Sequence, residues 1–322
     1  MYAIQLNDGT LEWQEVADEP CGPGQVRIRV AATAINRADL VQRQGGYPPP
    51  PGASPILGLE CAGEITEVGD GVSSWQIGQQ VCALLAGGGY ASEVVVPAGQ
   101  VAAVPQGMDL HTAAAIPEVF ATAYLNLYME AALQPGERVV LHAGASGVGT
   151  AALQMLKETN NPTFVTASGD KLAQCRALGA SGVHDRHADT SFLTAALAWA
   201  EPHGVDVILD PVGGRYLADN LSLLGTDGRL VLIGLMGGAA TEINLGLLLM
   251  KRIRVIGSTL RARSIGAKAR IMEALVRDVW PKFESGAIVP VIDKKYAIQQ
   301  AEDAHAYVAS DTTIGKVVLT ID

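Results

Sequence analysis

Positive charge is scarce in this sequence, and so are charged residues as a whole. Lysine and arginine number 23 against 33 aspartates and glutamates, which gives a formal net charge of −10 over 322 residues. A surface of that sign repels nucleic-acid phosphates and anionic lipid headgroups. The composition therefore argues against a nucleic-acid or membrane-surface partner. Any phosphate-bearing ligand has to be held by local donors.

Cysteines and long apolar runs are also scarce. The four cysteines, Cys21, Cys61, Cys82 and Cys175, are too scattered for a zinc pattern or a disulfide framework. No apolar run approaches the roughly 20 residues that a membrane-spanning helix needs. Residues 1–4 do not begin a recognisable signal peptide. We therefore expect a cytoplasmic protein without a membrane partner.

Apolar residues, by contrast, make up 48% of the chain, which predicts a substantial core. The length favours two domains. Alternating polar and apolar residues predict strands at residues 25–30, 64–68 and 93–96, with glycine-rich turns at 69–71 and 87–89. Short strands joined by glycine turns are typical of a β barrel or sandwich.

The second half of the chain has a different pattern of predicted secondary structure. An apolar, helix-like segment at residues 117–128 leads to a region where predicted strands and helices alternate. The strands are predicted at residues 163–167, 206–209, 229–233 and 254–260, and the helices at 171–178 and 216–224. This alternation predicts an α/β domain with a doubly wound parallel sheet, which binds ligands at the carboxyl ends of its strands. An amphipathic helix after residue 265 and strands at 287–292 and 316–320 are expected to rejoin the first domain.

One stretch of this region, residues 138–156, reads RVVLHAGASGVGTAALQML. A short apolar strand is followed by a glycine-rich turn and then by apolar residues at helical spacing. On the pattern G-x-G-x-x-G, Gly144 takes the first place, Ser146 the second and Gly149 the third. Gly147 and Val148 lie at the helix start, where backbone N–H groups attract a pyrophosphate. The stretch predicts a dinucleotide site, with an ordinary strand–helix turn as the alternative.

The choice between NADPH and NADH depends on the residues about 20 positions after the glycines, where an NAD site has an acidic side chain. Here Ser168 and Gly169 are small and neutral. Asp170 is expected to cap the next helix, and Lys171 can reach a 2′-phosphate. This pattern favours NADPH, although an inward-turned Asp170 would repel the phosphate and leave NADH open.

Three separated motifs resemble one known family: AINRADLVQRQGGYPPPPGASPILGLECAGEI, AAAIPEVFATAY and HAGASGVGTAALQ, with IGKVVL closing the chain at residues 314–319. They resemble the zinc-independent quinone oxidoreductases of the medium-chain dehydrogenase/reductase superfamily, and within them the p53-inducible subgroup. The resemblance implies a GroES-like catalytic domain at residues 1–120 and 265–322 and a Rossmann domain at 121–264. It also implies NADPH as the hydride donor, a quinone as the small-molecule substrate, and a homodimer through the Rossmann edge strand.

The same comparison argues against a metal site. Zinc-dependent relatives place a cysteine where Asn36 stands and a histidine where Leu59 stands, and neither residue here supplies a thiolate or an imidazole. Without a Lewis acid, alcohol oxidation is disfavoured, so a zinc alcohol dehydrogenase is the weakest alternative. We interpret Glu60 as a core carboxylate paired with a base such as Arg37.

The resemblance also implies which residues surround the reacting groups. It puts Asn36 and Tyr47 beside the nicotinamide as catalytic residues, Tyr47 donating a hydrogen bond to a quinone oxygen in the cleft between the domains. Thr122 would hold the carboxamide, whereas Arg263 and Lys316 are open between a cofactor contact and a structural position. The expected cofactor contacts are Thr122, Gly144, Ser146, Gly147, Val148, Gly149, Ser168, Gly169, Lys171, Gly234, Leu235, Met236, Arg263 and Lys316.

Two other functions remain open from the sequence. This superfamily also contains NADPH-dependent reductases of α,β-unsaturated carbonyl compounds. A protein that binds NADPH without catalysis, as a redox sensor or a structural component, is the other alternative.

Overall fold

The computed structural model describes residues 1–321. The chain forms two compact units, one made of Met1–Ala121 together with the chain from Leu260 onward, the other of Thr122–Thr259. The segment after Leu260 therefore belongs to the same unit as the N-terminal residues. No helix among residues 1–321 is long and apolar enough to cross a membrane.

Strands and helices follow one another along the chain as follows. The strands are β1 (Tyr2–Asn7), β2 (Thr10–Glu15), β3 (Gln25–Ile35), β4 (Glu60–Val68), β5 (Gln80–Leu84), β6 (Glu93–Pro97), β7 (Val101–Ala103), β8 (Val139–His142), β9 (Thr163–Ala167), β10 (Gly182–Asp185), β11 (Val205–Asp210), β12 (Leu224–Leu232), β13 (Arg254–Gly257), β14 (Ile292–Ala297) and β15 (Lys316–Thr320). The helices are α1 (Arg37–Arg43), α2 (Leu110–Ala113), α3 (Pro117–Tyr124), α4 (Gly147–Glu158), α5 (Leu172–Ala177), α6 (Phe192–Ala200), α7 (Gly214–Leu223), α8 (Leu245–Lys251), α9 (Ile265–Asp278), α10 (Trp280–Glu284) and α11 (Ala301–Ala309).

The first unit is built on a sheet in the order β14-β15-β3-β4-β5-β7, with β6 also paired to β3. The long strand β3 turns Val26, Ile28 and Val30 into the core, as the alternation in the sequence predicts. Its neighbours β4 and β15 both run antiparallel to it. The end of β3 therefore lies beside the beginnings of β4 and β15, and this geometry places the side chains described below.

The second unit contains a six-stranded parallel sheet in the order β10-β9-β8-β11-β12-β13. This is the doubly wound arrangement of a Rossmann domain, and it confirms the predicted α/β fold class. Strand β8 is buried throughout, and α4 packs the apolar stripe Ala151, Ala152, Met155 and Leu156 into the core. Because the strands are parallel, the turns after β8, β9 and β12 all lie at one edge of the sheet.

The strand predicted at 254–260 ends at Gly257 and the one predicted at 229–233 begins at Leu224, and two further predicted elements differ in kind. The strand predicted at residues 287–292 is wrong, since β14 begins only at Ile292. The apolar residues before it form a loop after α10, in which the Ile288 N–H donates to the Lys282 carbonyl and Pro290 has no N–H for a ladder. The helix predicted at 117–128 ends as an α-helix at Tyr124 and continues as a π-helix over Leu125–Glu130.

Candidate functional site

A buried hydrogen-bonded cluster lies where the end of β3 meets the starts of β4 and β15. The Asn36 amide donates to Glu60 Oε1 at 2.9 Å, and the Lys316 ammonium donates to Asn36 Oδ1 at 2.6 Å. The ammonium also lies 2.8 Å from Glu60 Oε1 and donates to the Ile35 carbonyl. Glu60 is fully buried and Lys316 is 4% exposed. Each polar group of this cluster is thus satisfied by another within the same unit.

The cluster answers two questions that the sequence left open. Glu60 is a core carboxylate, as predicted, but its base is Lys316, and Arg37 instead pairs with Asp311. Lys316 begins β15 beside the end of β3, whereas Arg37 is the exposed first residue of α1. Asn36 is the N-cap residue of α1, yet its side chain makes no capping bond and turns to Glu60.

Tyr47 is half-buried and is held by Arg261, a residue that the sequence reasoning did not single out. The Arg261 guanidinium carbon lies 5.3 Å from the centre of the Tyr47 ring, and Nη1 donates to the Tyr47 carbonyl at 3.0 Å. Nε donates to the Ala86 carbonyl at 2.8 Å. Burial raises the pKa of the Tyr47 hydroxyl, the Glu118 carboxylate raises it further, and Arg261 opposes both. The phenol therefore stays protonated and able to donate a hydrogen bond.

Glu118, in the first turn of α3, is a second residue that the sequence reasoning missed. Its backbone N–H donates to Glu60 Oε2 at 2.9 Å, which joins it to the buried cluster. Burial, and then the negative charge of Glu60, raise the pKa of the Glu118 carboxyl to about 8. Its position after a proline and an apolar run, AAAIPE, gives a weak signal, because first-turn acids are common in helices.

In the second unit, the glycine turn between β8 and α4 has the predicted strand–turn–helix context. Ser146 is the N-cap of α4, and its hydroxyl oxygen accepts from the Gly149 N–H at 3.1 Å. The hydroxyl proton of Ser146 stays available for a phosphate oxygen. The N–H groups of Gly147 and Val148 have no partner inside the helix, because they lie in its first turn.

The glycines of this turn have a steric role that fits a dinucleotide. A Cβ at Gly144 would lie 2.2 Å from Val165 Cγ1, and one at Gly149 would lie 2.5 Å from the Gly144 carbonyl oxygen. Strand, turn and helix therefore pack without space for side chains, which lets the backbone amides approach a pyrophosphate. The residues present fit a dinucleotide at this turn.

The turn after β9 carries Ser168, Gly169 and Lys171. Asp170 is exposed within a 3₁₀ turn over Gly169–Lys171, so the prediction that it caps the next helix is wrong. Lys171 is 7% exposed, which limits its reach. Arg186, just past the end of β10, donates to Ser168 Oγ at 3.0 Å. Arg186 is a further cation at this edge of the sheet, and the sequence analysis did not include it. Its position directly after a parallel strand could have indicated it.

The remaining predicted cofactor residues lie in separate places. Gly234, Leu235 and Met236 follow β12, and hydrogen bonds from Met236 and Gly237 tie their loop to Pro211 and Val212 after β11. Leu235 and Met236 are more than half exposed. Thr122 is half-buried in α3, and its carbonyl accepts from Asn126. Arg263 is half-buried and directly precedes Ser264, the N-cap of α9.

His142, at the end of β8, holds a buried network beneath the same sheet edge. Its Nδ1 and Nε2 contact Thr166 Oγ1 and Asn220 Oδ1, and the Asn220 amide donates to Asp210. Since the amide oxygen accepts from the ring, Nε2 carries the proton and Nδ1 accepts from the hydroxyl. Burial lowers the pKa of His142. The residue is a structural link between β8, β9 and α7.

Metal-binding chemistry has little support in the described part of the chain. No three of its His, Cys, Asp and Glu side chains are grouped so that they could hold a metal ion. At the two positions where zinc-dependent relatives have ligands, the Asn36 amide is occupied by Glu60 and Lys316, and Leu59 is a buried alkyl side chain. This donor set does not fit zinc.

Two family models match the chain. An alcohol dehydrogenase GroES-like domain matches residues 22–106, and a zinc-binding dehydrogenase domain matches residues 178–319. The synaptic vesicle membrane protein VAT-1 homolog of Rattus norvegicus is 33% identical over 314 residues, which cover 92% of this chain and 77% of that protein. A pikromycin polyketide synthase component of Streptomyces venezuelae is 35% identical over 313 residues, 96% of this chain. The chain spans only 8% of that synthase component's length.

Solved structures give the same picture. The JamJ enoyl reductase has a TM-score of 0.89 and 26% identity, covering 100% of this chain and 99% of its own. The Escherichia coli quinone oxidoreductase in complex with NADPH has a TM-score of 0.86 and 26% identity, covering 99% of this chain and 98% of its own. The two-unit architecture is therefore shared along its whole length with proteins of both activities.

Proposed function

The chain belongs to the medium-chain dehydrogenase/reductase superfamily of oxidoreductases, and from that premise we propose that it is an NADPH-dependent quinone reductase that works without zinc. Within the superfamily we assign it to the p53-inducible quinone oxidoreductase subgroup. The observation that carries the proposal is the Asn36–Glu60–Lys316 cluster, whose hydrogen bonds occupy the side chain of Asn36, the residue that the family resemblance places where zinc-dependent relatives have a cysteine ligand. Without a Lewis acid, an acceptor that is already electrophilic is the natural substrate.

The backbone amides of Gly147 and Val148 and the hydroxyl of Ser146 are proposed to hold the pyrophosphate of NADPH, which supplies the hydride when it is bound. Ser168 and Arg186 are proposed to bind the 2′-phosphate, because a guanidinium pairs well with a phosphate. Asp170 is exposed and is not turned inward, where its carboxylate would repel the 2′-phosphate. Two similar structures were solved with NADPH, which supports a nicotinamide cofactor at this turn.

Tyr47 is proposed to donate a hydrogen bond to the quinone oxygen on which negative charge develops. Its raised pKa keeps the phenol protonated, and Arg261 fixes its backbone and faces its ring. Tyr47→Phe keeps the ring and removes only the donor. We expect kcat for 1,2-naphthoquinone to fall by about 10- to 100-fold, with unchanged NADPH affinity in a fluorescence titration. Unchanged turnover would remove Tyr47 from the mechanism.

Reduction of an α,β-unsaturated carbonyl compound is the second candidate, favoured by the structural likeness to the JamJ enoyl reductase. Both reactions deliver a hydride to a conjugated acceptor. The discriminating measurement is kcat/KM for a quinone and for an enone with NADPH under identical conditions. A higher value for the enone would replace the quinone assignment. Tight NADPH binding without oxidation by either acceptor would instead identify a cofactor-binding protein without catalysis.

We further propose that a second copy of the chain covers the free edge of the Rossmann sheet. Strand β13 lies at that edge, and Val255 is 41% exposed on it. The neighbouring helix α8 exposes Leu249 by 79% and Met250 by 78%. An uncovered strand edge beside apolar side chains is a surface that proteins normally cover. Sedimentation should give a dimer for the wild type and a monomer for Val255→Lys, and a monomeric wild type would contradict the proposal.

A further inference from the structure

Two buried polar atoms beside Tyr47 lack partners. Among residues 1–321, Glu118 Oε2 and Arg261 Nη2 are both buried without a hydrogen bond. Arg261 is 2% exposed, and its other two nitrogens, Nε and Nη1, donate to the carbonyls of Ala86 and Tyr47. A buried donor or acceptor left unpaired costs free energy that a ligand can recover. Both atoms belong to the first unit and interact electrostatically with Tyr47.

The groups that face Glu118 come from several elements. They are Glu60 on β4, Lys316 on β15, Asp39 on α1 and Lys268 on α9, together with Tyr47 and Arg261 from loops. The two acids and the burial favour the neutral carboxyl, whereas the two lysines favour the carboxylate. The balance raises the pKa of Glu118 to about 8, so at neutral pH the side chain carries its proton. Glu60, by contrast, has Lys316 as its counter-ion at 2.8 Å, whereas Glu118 has no ion pair among the described residues that would favour its charged form.

We propose that Glu118 is the general acid that gives the reduced acceptor its proton, an inference that rests on the proposed function. Hydride transfer to a quinone leaves a negative charge on oxygen. The Glu118 O–H bond breaks, and an O–H bond forms on the acceptor oxygen that Tyr47 contacts. The acceptor thereby gains both electrons with the hydride from NADPH and one proton from Glu118, and water returns a proton to Glu118.

Arg261 assists this step through its unpaired Nη2–H. The donor stabilises the oxygen before the proton arrives, and it holds Tyr47 in place through the two contacts given above. Glu118, Arg261 and Tyr47 interact electrostatically with one another, so the proton donor and the hydrogen-bond donors belong to one neighbourhood of the first unit. This arrangement gives both unpaired atoms a partner, because Arg261 Nη2 and the protonated Glu118 carboxyl both donate to the acceptor oxygen.

Glu118→Gln tests the proposal, because glutamine keeps the shape and cannot give up a proton. We expect kcat with a quinone to fall by about 100-fold at neutral pH, with KM for NADPH unchanged. Glu118→Asp should restore part of the loss. The surface variant Glu273→Gln, exposed on α9, is the matched control. An unchanged kcat in Glu118→Gln would overturn the proposal.

The pH dependence of the wild type provides a measurement that needs no variant. kcat should fall as the pH rises through about 8, since the carboxyl then loses its proton. Glu118→Gln should lose this limb, which a purely structural role would leave in place. A wild-type profile that stays flat across this range would contradict the proposal even if the variant failed to fold.

The failure of the proposed function is separable from the failure of this inference. If the wild type oxidises NADPH with neither a quinone nor an enone, the proposed function is wrong. Infrared difference spectra between neutral and alkaline pH then still report on Glu118, because a protonated buried carboxyl has its own carbonyl band. A band absent at neutral pH overturns the inference, and a band that Glu118→Gln removes supports it.

Discussion

The Lys316 ammonium lies 2.8 Å from the Glu60 carboxylate, with the two side chains 4% and 0% exposed. Strand β3, between the two residues' strands, brings them together, and the Asn36 side chain completes the contact. A buried charge pair of this kind is maintained only when its hydrogen bonds are also complete. The hydrogen bonds of this pair are complete, and the cluster therefore links the end of β3 rigidly to the starts of β4 and β15.

Removing one member of this pair should therefore be strongly destabilising. Lys316→Met leaves Glu60 buried without a counter-ion, and we expect roughly 3–5 kcal/mol to be lost from the free energy of unfolding in urea. Lys295→Met, on the exposed face of the adjacent strand β14, should stay within about 0.5 kcal/mol of the wild type. Adding Glu60→Gln to Lys316→Met should recover most of the loss. A small effect of Lys316→Met alone would mean that water reaches Glu60.

Gly144 should tolerate no side chain, because a Cβ there would meet Val165. We expect Gly144→Ala to cost roughly 1–3 kcal/mol in urea unfolding and to weaken NADPH binding. Added to Val165→Ala, which opens the space, the same substitution should cost clearly less. Gly257→Ala serves as control, because a Cβ there meets nothing within 4 Å. Equal costs of Gly144→Ala with and without Val165→Ala would refute the steric explanation.

The choice of cofactor should depend on Arg186. Arg186→Ala removes the cation that contacts Ser168, and we expect the Kd for NADPH to rise roughly tenfold while the Kd for NADH changes little. Arg176→Ala, an exposed arginine on α5, is the matched control. Fluorescence titration with both nucleotides measures the effect. A wild-type preference for NADH would contradict the assignment of NADPH.

His305 should make the protein less stable in mild acid. Burial lowers its pKa in the folded state from 6.5 to about 4, so the unfolded chain takes up a proton that the folded protein refuses. Above pH 6.5 the neutral His305 side chain does not lower the free energy of unfolding. As the pH falls from 6.5 toward 4, protonation of the unfolded chain reduces the free energy of unfolding by about 3 kcal/mol in all. His305→Gln keeps a partner for Tyr90 and does not titrate.

The comparison between wild type and His305→Gln isolates this residue from an opposing one. Burial raises the pKa of Asp39 to about 6, and so Asp39 stabilises the folded state as the pH falls below that value. Asp39 is present in both proteins, and its effect cancels in the difference. Urea unfolding of both proteins between pH 7 and pH 4 measures the difference in their free energies of unfolding. As the pH falls, the wild type should lose stability relative to His305→Gln. Parallel curves would exclude His305 as the source.

Much of the second unit was predictable, because its signals are local. The parallel strands alternate with helices at spacings that the apolar pattern records, and the strand over Thr163–Ala167 was predicted with the same bounds. The strand predicted at 287–292 is wrong because that prediction relies on the local apolar pattern alone. Its apolar residues pack as a loop after α10, and an apolar run alone does not distinguish a loop from a strand.

The sequence by itself determined the α/β class and the glycine turn that fits a dinucleotide. Both depend on residue type at short spacing, where local sterics decide the structure. The family resemblance implied that Asn36 and Leu59 stand where zinc-dependent relatives have metal ligands, and neither side chain is a good zinc ligand. Only the tertiary structure decided that Lys316 rather than Arg37 neutralises Glu60, that Arg261 holds Tyr47, and that one carboxyl oxygen of Glu118 is buried without a partner. Those pairings join distant segments, and the protonation of a buried acid depends on the sum of charges that the fold brings around it.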